Sequence, residues 1–321
     1  MVKKNSLKAW FLASRPKTLT GAIAPVLIGG AIAWTDTVGI ILQRSRELYI
    51  IGEDSSFYLG SHYLTFAIPF VLCIIFAMLM QIDANLVNDW WDYRKGSDRS
   101  DRLGPERACA QGWISEPAII IGIIVTTILA GCVGLLIMFW KMQWELLLVG
   151  ITCMLGCFIY TFNFSYMGLG DILVLLFFGI VPVGFTYYVI TGGIWTLYVT
   201  LAGVGMGLAT DNLLIVNNYR DVDQDRESGK KTIVVRFGKS FGLKLYLSFG
   251  IIAALLGIAA LIISPNSKSY GIILLSIYLA VHLANYKKMK SFTGKDLNMV
   301  LGTTALGIFL YGITVALAFL L

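Results

Sequence analysis

Two short stretches of this chain concentrate asparagine and aspartate at helical spacing. The first reads Asn85-Leu86-Val87-Asn88-Asp89-Trp90-Trp91-Asp92 and continues Tyr93-Arg94-Lys95-Gly96-Ser97-Asp98. The second reads Asn217-Asn218-Tyr219-Arg220-Asp221-Val222-Asp223-Gln224-Asp225. Both contain Asn-x-x-x-Asp, and the two copies lie the same 129 residues apart at both positions (88 to 217, 92 to 221). Just upstream, Asp83 and Asp211 repeat at 128. Residues three or four apart share a helix face. The spacing therefore predicts one stripe of Asn85, Asn88, Asp89 and Asp92, and another of Asn217, Asp221 and Asp225. Amide and carboxylate oxygens are hard ligands suited to Mg2+, which takes one or two carboxylates and completes its shell with water and substrate phosphate. One patch alone would read as a solvated acidic loop or a helix cap. Two at equal offset argue for a shared task.

Basic residues interleave with the acids: Arg94, Lys95, Arg102 and Arg107 after the first patch, and Arg220, Lys230, Lys231 and Arg236 around the second. Carboxylates without a metal would repel a diphosphate, since one like-charge pair at ~4 Å costs about 4 kcal/mol at an effective dielectric near 20. A diphosphate bound here would need divalent cations as bridges.

The elements that must position these residues are membrane helices. Of the 321 residues, 57% are hydrophobic and only 14% charged, and the mean hydropathy is +0.76. So few charges cannot cover a soluble globule of this length, and a disordered chain would be far less hydrophobic. Runs of about 20 mostly apolar residues predict an all-α polytopic protein with nine spans: 18–40, 64–88, 117–140, 144–162, 171–192, 195–217, 242–264, 270–286 and 298–320. Both motifs follow the second span of a four-span group. This suggests two four-helix pseudo-repeats, about 15–162 and 168–290, with 298–320 appended. Gly203, Gly205 and Gly207 predict a close helix–helix contact.

With the N-terminus inside, all but five of the 25 Lys and Arg residues fall on the inner side. The exceptions are Arg44, Arg46, Lys141 and Lys268 outside, and Lys244 at a span edge. The net charge of +6 then reports orientation under the positive-inside rule, and no nucleic-acid partner is expected. The N-terminal Lys3, Lys4, Lys8, Arg15 and Lys17 followed by an apolar run resemble a signal peptide. Pro25 and the glycines around it favour a retained first helix. The cysteines (Cys73, Cys109, Cys132, Cys153, Cys157) have no disulfide or zinc spacing, and His62 and His282 lie far apart. Asp83 and Asp211 fall within apolar runs, where an acid is either functional or hydrogen-bonded to a neighbouring helix.

Asn88-Asp89-x-x-Asp92 together with Asp221-x-x-x-Asp225 on a nine-span frame resembles the UbiA superfamily of intramembrane prenyltransferases. The likeness is strongest to its branch acting on 1,4-dihydroxy-2-naphthoate in menaquinone synthesis. Further points of likeness are Arg15-Pro16-Lys17-Thr18-Leu19, Ala24-Pro25, Lys95-Gly96-Ser97-Asp98, Leu103-Gly104-Pro105, Gly168-Leu169-Gly170-Asp171 and Gly229-Lys230-Lys231-Thr232. The chain departs from the 4-hydroxybenzoate branch at Gly96, where an aspartate is usual. Thr161 to Tyr166 lacks the Gly/Pro-rich wording common between spans four and five.

The resemblance implies an enzyme of the cytoplasmic (inner) membrane whose site faces the cytoplasm and joins a polyprenyl diphosphate to the naphthoate with loss of CO2. It implies Mg2+ held by residues among Asn88, Asp89, Asp92, Asp98, Asp221 and Asp225. Catalytic roles would fall to Asp92, Asp221, Asp225 and Lys231. Substrate contacts would come from Asn85, Arg94, Lys95, Arg102, Arg107, Asn217, Arg220 and Lys230. Tyr160, Tyr187 and Tyr188 are candidates to shield an allylic cation. Rival readings are a sibling enzyme with another aromatic or a glycerol phosphate acceptor, and a cation-coupled transporter, whose site would sit nearer the midplane.

Overall fold

A computed structural model describes residues 2–51, 55–96, 103–159, 168–267 and 269–321, and every regular element among them is helical. In chain order these are α1 (Leu7–Ala13), α2 (Pro16–Ile50), α3 (Ser55–Arg94), α4 (Glu116–Lys141) and α5 (Glu145–Ile159). Then come α6 (Gly170–Thr191), α7 (Leu197–Arg220), α8 (Val222–Glu227), α9 (Ile233–Phe237), α10 (Lys239–Ile263), α11 (Leu275–Ser291) and α12 (Leu297–Leu320). Seven of them (α2, α3, α4, α6, α7, α10 and α12) are long and apolar enough to cross a membrane. Their outward residues suit lipid: Ile121, Ile128 and Leu306 are each at least 60% exposed.

The fourth and eighth expected spans are shorter than a bilayer crossing among the described residues. In place of 144–162, α5 has 15 residues, a rise of about 22 Å against a hydrocarbon core of about 30 Å. In place of 270–286, a 3-10 segment (Ser269–Leu274) leads into the 17-residue α11. His282 and Asn285 are buried within α11, and its lysine-rich end lowers its hydropathy further. The first two spans instead run on beyond their expected limits, to 35 and 40 residues.

The core lies where α2, α6, α7, α10 and α12 meet, and small residues set its spacing. A Cβ on Gly179 would lie 2.4 Å from the Gly203 carbonyl oxygen and 2.6 Å from the Gly207 backbone nitrogen. On Gly205 it would meet the Tyr311 hydroxyl at 2.4 Å. The glycine cluster of α7 thus allows backbone contact on one side and seats a buried tyrosine on the other. α6 accommodates this contact with a single wide turn of π-helix, Leu176–Ile180.

At the outer-numbered ends of these helices Asp36 forms a node. It accepts hydrogen bonds from Tyr187 (2.8 Å), Tyr198 (2.6 Å) and the Asn266 amide (3.0 Å). The two motifs lie at the opposite end, at the C-termini of α3 and α7.

Candidate active site

α3 runs unbroken through the first motif to Arg94, so its stripe is helical as the spacing predicts. The stripe divides its work. Asn85, 3% exposed, donates to the Ser14 carbonyl and the Thr18 hydroxyl, both at 2.9 Å, and so fixes the start of α2 against α3. Asp89, 1% exposed, accepts the backbone N–H of Ala108 at 2.9 Å and that of Cys109 at 3.2 Å. Expected as a metal ligand, it has both oxygens engaged in anchoring the loop after α3. Asp92 pairs with Arg107 of that loop at 2.9 Å. Arg94 lies by Glu116 (3.6 Å) and the Trp90 ring, and the Lys95 amine sits 4.9 Å from the Trp91 centroid. These two are on the flank of the motif. Asp98, Arg102 and Tyr160 lie outside the described residues.

In the second motif the expected single stripe is interrupted. α7 stops at Arg220, and Asp221 both ends it and begins the six-residue α8. The Asp221–Asp225 relation survives because the Asp225 N–H still donates to the Asp221 carbonyl at 2.8 Å. Arg220 is 4% exposed. Its guanidinium grips Asp221 through Nε (2.7 Å) and Nη2 (2.6 Å), and also reaches Asn217 (3.1 Å) and Asn298 of α12 (2.7 Å). Lys230 approaches Asp225 at 3.4 Å. Burial pushes the Asp225 carboxyl above the usual carboxylate range, and the Lys230 amine opposes that rise. Lys231 is exposed, and its carbonyl lies where a Cβ on Gly168 would fall (2.1 Å), so the Gly168 turn packs directly on this loop.

Both motifs open on one cavity of about 370 Å3, lined by Asn88 from the first and Asn217 from the second. Lys17, Thr18 and Gln81 share that polar end. The cavity then follows α3 down to Cys73, about 22 Å by helical rise, between Phe76, Phe177, Phe178, Phe185, Ile137 and Leu146. A polar mouth on a long apolar bore suits an amphiphile with an anionic head. Lys17, Thr18 and Gln81 carried no site assignment from the sequence. For Lys17 and Thr18 the signal was the Arg15-Pro16-Lys17-Thr18-Leu19 run; Gln81 had none. Tyr187 and Tyr188 point elsewhere, to Asp36 and Glu145. Asp83 accepts from Thr127 at 3.0 Å, a strut between α3 and α4. Asp211 of α7 lies beside Asp171 of α6.

The donor chemistry fits Mg2+. Asn88, Asp92, Asp221 and Asp225 offer only hard oxygens, and among the described residues no three acids, histidines or cysteines gather into a closed cage. An ion held here would draw the rest of its shell from water and a phosphate-bearing substrate, as Mg2+ does.

A greasy bore closed by paired oxygen-rich patches defines an intramembrane enzyme for an amphiphilic substrate. Residues 55–312 match the UbiA prenyltransferase family, and the chain belongs to it. It is 32% identical over 286 residues to a 1,4-dihydroxy-2-naphthoate octaprenyltransferase of Haemophilus influenzae, covering 86% of this chain and 84% of that protein. Among solved structures, a UbiA homolog from Aeropyrum pernix K1 superposes with TM-score 0.67 at 12% identity, over 94% of this chain and 98% of the other. One from Archaeoglobus fulgidus bound to DMAPP and Mg2+ gives 0.58 at 14% identity, over 96% and 98%.

Proposed function

We propose that this chain transfers a polyprenyl group from an allylic polyprenyl diphosphate to 1,4-dihydroxy-2-naphthoate, releasing diphosphate and CO2 and giving demethylmenaquinol. The observation that carries the reading is the single cavity lined by Asn88 and Asn217, which brings motifs 129 residues apart (88 to 217) onto one substrate. The Haemophilus influenzae relative supports the naphthoate acceptor, and the Archaeoglobus fulgidus complex supports the prenyl donor and Mg2+.

In this reading Asn88 and Asp92 hold Mg2+ on one side, and Asp221 and Asp225 hold it on the other. The metal supplies charge neutralisation for the diphosphate and stabilises its departure. Lys17 at the cavity mouth, with Lys230 and Lys231 beyond α8, offers positive charge to the remaining phosphate oxygens. Arg107 and Arg220 orient Asp92 and Asp221, and Asp89 orients the loop that carries Arg107. The prenyl chain lies along the bore toward Cys73. Phe76, Phe177, Phe178 and Phe185 line that path and exclude water from the tail.

The motif end faces the cytoplasm of an inner membrane, as the basic residues indicate. α5 and residues 269–291 serve as the fourth and eighth of nine crossings, in two pseudo-repeats and a final helix.

The test incubates the protein in lipid nanodiscs with a labelled polyprenyl diphosphate and, separately, the naphthoate, 4-hydroxybenzoate and a glycerol phosphate acceptor. A prenylated naphthoate formed with CO2 release and lost on chelation is expected. Product only with another acceptor overturns the acceptor assignment, and product that survives chelation overturns the metal assignment.

A further inference from the structure

Asn298 has no part in either motif, yet it touches the second and the loop that follows the first. It is the second residue of α12. Its Oδ1 accepts from Arg220 Nη1 at 2.7 Å, and its Nδ2 donates to the Leu103 carbonyl at 2.8 Å. Arg220 is the residue that holds Asp221 and Asn217. Leu103 begins the described part of the loop that Asp89 anchors at Ala108 and Cys109 and that sends Arg107 to Asp92. One amide therefore joins the two groups of residues that must face each other across a diphosphate.

The contact is also directional. An amide is the side chain that accepts with one end and donates with the other, and here each end finds the partner of opposite kind. A carboxylate could serve Arg220 but not the Leu103 carbonyl. An apolar residue could serve neither and would leave a buried guanidinium proton unpaired, which is costly. α12 is thus more than a lipid-facing addition to the bundle.

We propose that Asn298 is a positioning residue that sets the separation of the two metal-binding halves, so that Mg2+ and the diphosphate meet a preformed gap. The idea rests on the proposed prenyl transfer for its consequence, but the coupling itself is a property of the metal-free protein.

The experiment compares wild type with Asn298→Ala and Asn298→Asp in nanodiscs. Hydrogen–deuterium exchange without metal is read in peptides covering 103–112 and 217–227. In Asn298→Ala both segments should exchange about tenfold faster, the loss of one hydrogen bond to a charged group. In Asn298→Asp only the 103–112 segment should loosen, because Arg220 keeps an acceptor. Mg2+ titration of prenyl-transfer activity should show the half-saturating concentration and the KM for the diphosphate rising about tenfold in Asn298→Ala. The KM for the acceptor should stay within twofold.

Unchanged exchange in Asn298→Ala, or equal loosening of both segments in Asn298→Asp, overturns the coupling. A loosened Asn298→Ala whose Mg2+ and diphosphate constants match wild type overturns the positioning role. A wild type that loosens as expected on mutation but makes no prenylated product leaves the coupling standing and removes the functional reading instead.

Discussion

Asp221→Asn removes one negative charge while keeping the shape of the side chain. Two effects should separate. The first is structural: Arg220 sits at 1% side-chain exposure and loses the charged partner it grips at 2.7 and 2.6 Å. Stranding one member of a buried pair costs about 3–5 kcal/mol. Because the Asp221 side chain is 22% exposed, the low end applies, about 3 kcal/mol. The second is catalytic. A charge pair at ~4 Å is worth about 4 kcal/mol at an effective dielectric near 20, close to a thousandfold if it is lost from the transition state.

Arg220→Met and the double variant complete the cycle. Removing the stranded cation should return about half of the lost stability, measured by unfolding in mixed detergent. Turnover, measured with labelled prenyl diphosphate at saturating Mg2+, should stay near the Asp221→Asn level. Turnover of Asp221→Asn within tenfold of wild type would take Asp221 out of the metal set. Recovery of turnover in the double variant would mean that Asp221 serves only to restrain Arg220.

Asp89→Ala should lower stability by about 2 kcal/mol, having left two backbone N–H groups without their acceptor. Asp89→Asn, which keeps one acceptor oxygen, should lose about half as much, and calorimetry of the two variants checks this. Gly179→Ala forces a methyl to 2.4 Å from the Gly203 carbonyl and should cost about 1–3 kcal/mol, with loss of the folded fraction on size-exclusion chromatography as the readout. Cys73→Trp fills the far end of the cavity. It should raise the KM for long polyprenyl diphosphates at least tenfold while leaving dimethylallyl diphosphate nearly unaffected, and equal effects on both would place the tail elsewhere.

What the sequence made legible follows from what is local. The Asn-x-x-x-Asp pairs needed only helical periodicity to be seen, and the long spans only their apolar length. α5 and α11 were harder, because their ends are defined by packing: His282 stacks on Tyr246 with centroids 4.8 Å apart, a contact that offsets its polarity but leaves no trace in a hydropathy window. Asp89 looked like its neighbours in the stripe. Only the backbone of residues 108 and 109, folded back by tertiary structure, reveals its other partner. Lys17 and Gln81 gain meaning from a cavity that forms between helices distant in the chain, and Asn298 stands alone at the start of a mostly apolar final helix. The break at Asp221 likewise depends on Arg220 turning back onto it, which spacing does not encode.

The wide turn Leu176–Ile180 has a consequence for how this enzyme tolerates insertions and deletions. Such a turn contains one residue beyond what an α-helix needs, and each helical residue advances about 100°. Deleting any one residue between 172 and 180 would restore a regular helix at little local cost. Because the wide turn takes up its extra residue without rotating the segments on either side, the Gly168–Asp171 end would keep its phase relative to Gly184 and Tyr187, with Gly168 still packed on Lys231. α6 therefore carries a spare residue whose loss it can absorb, whereas one residue added elsewhere in the helix would swing its two ends apart by about 100°.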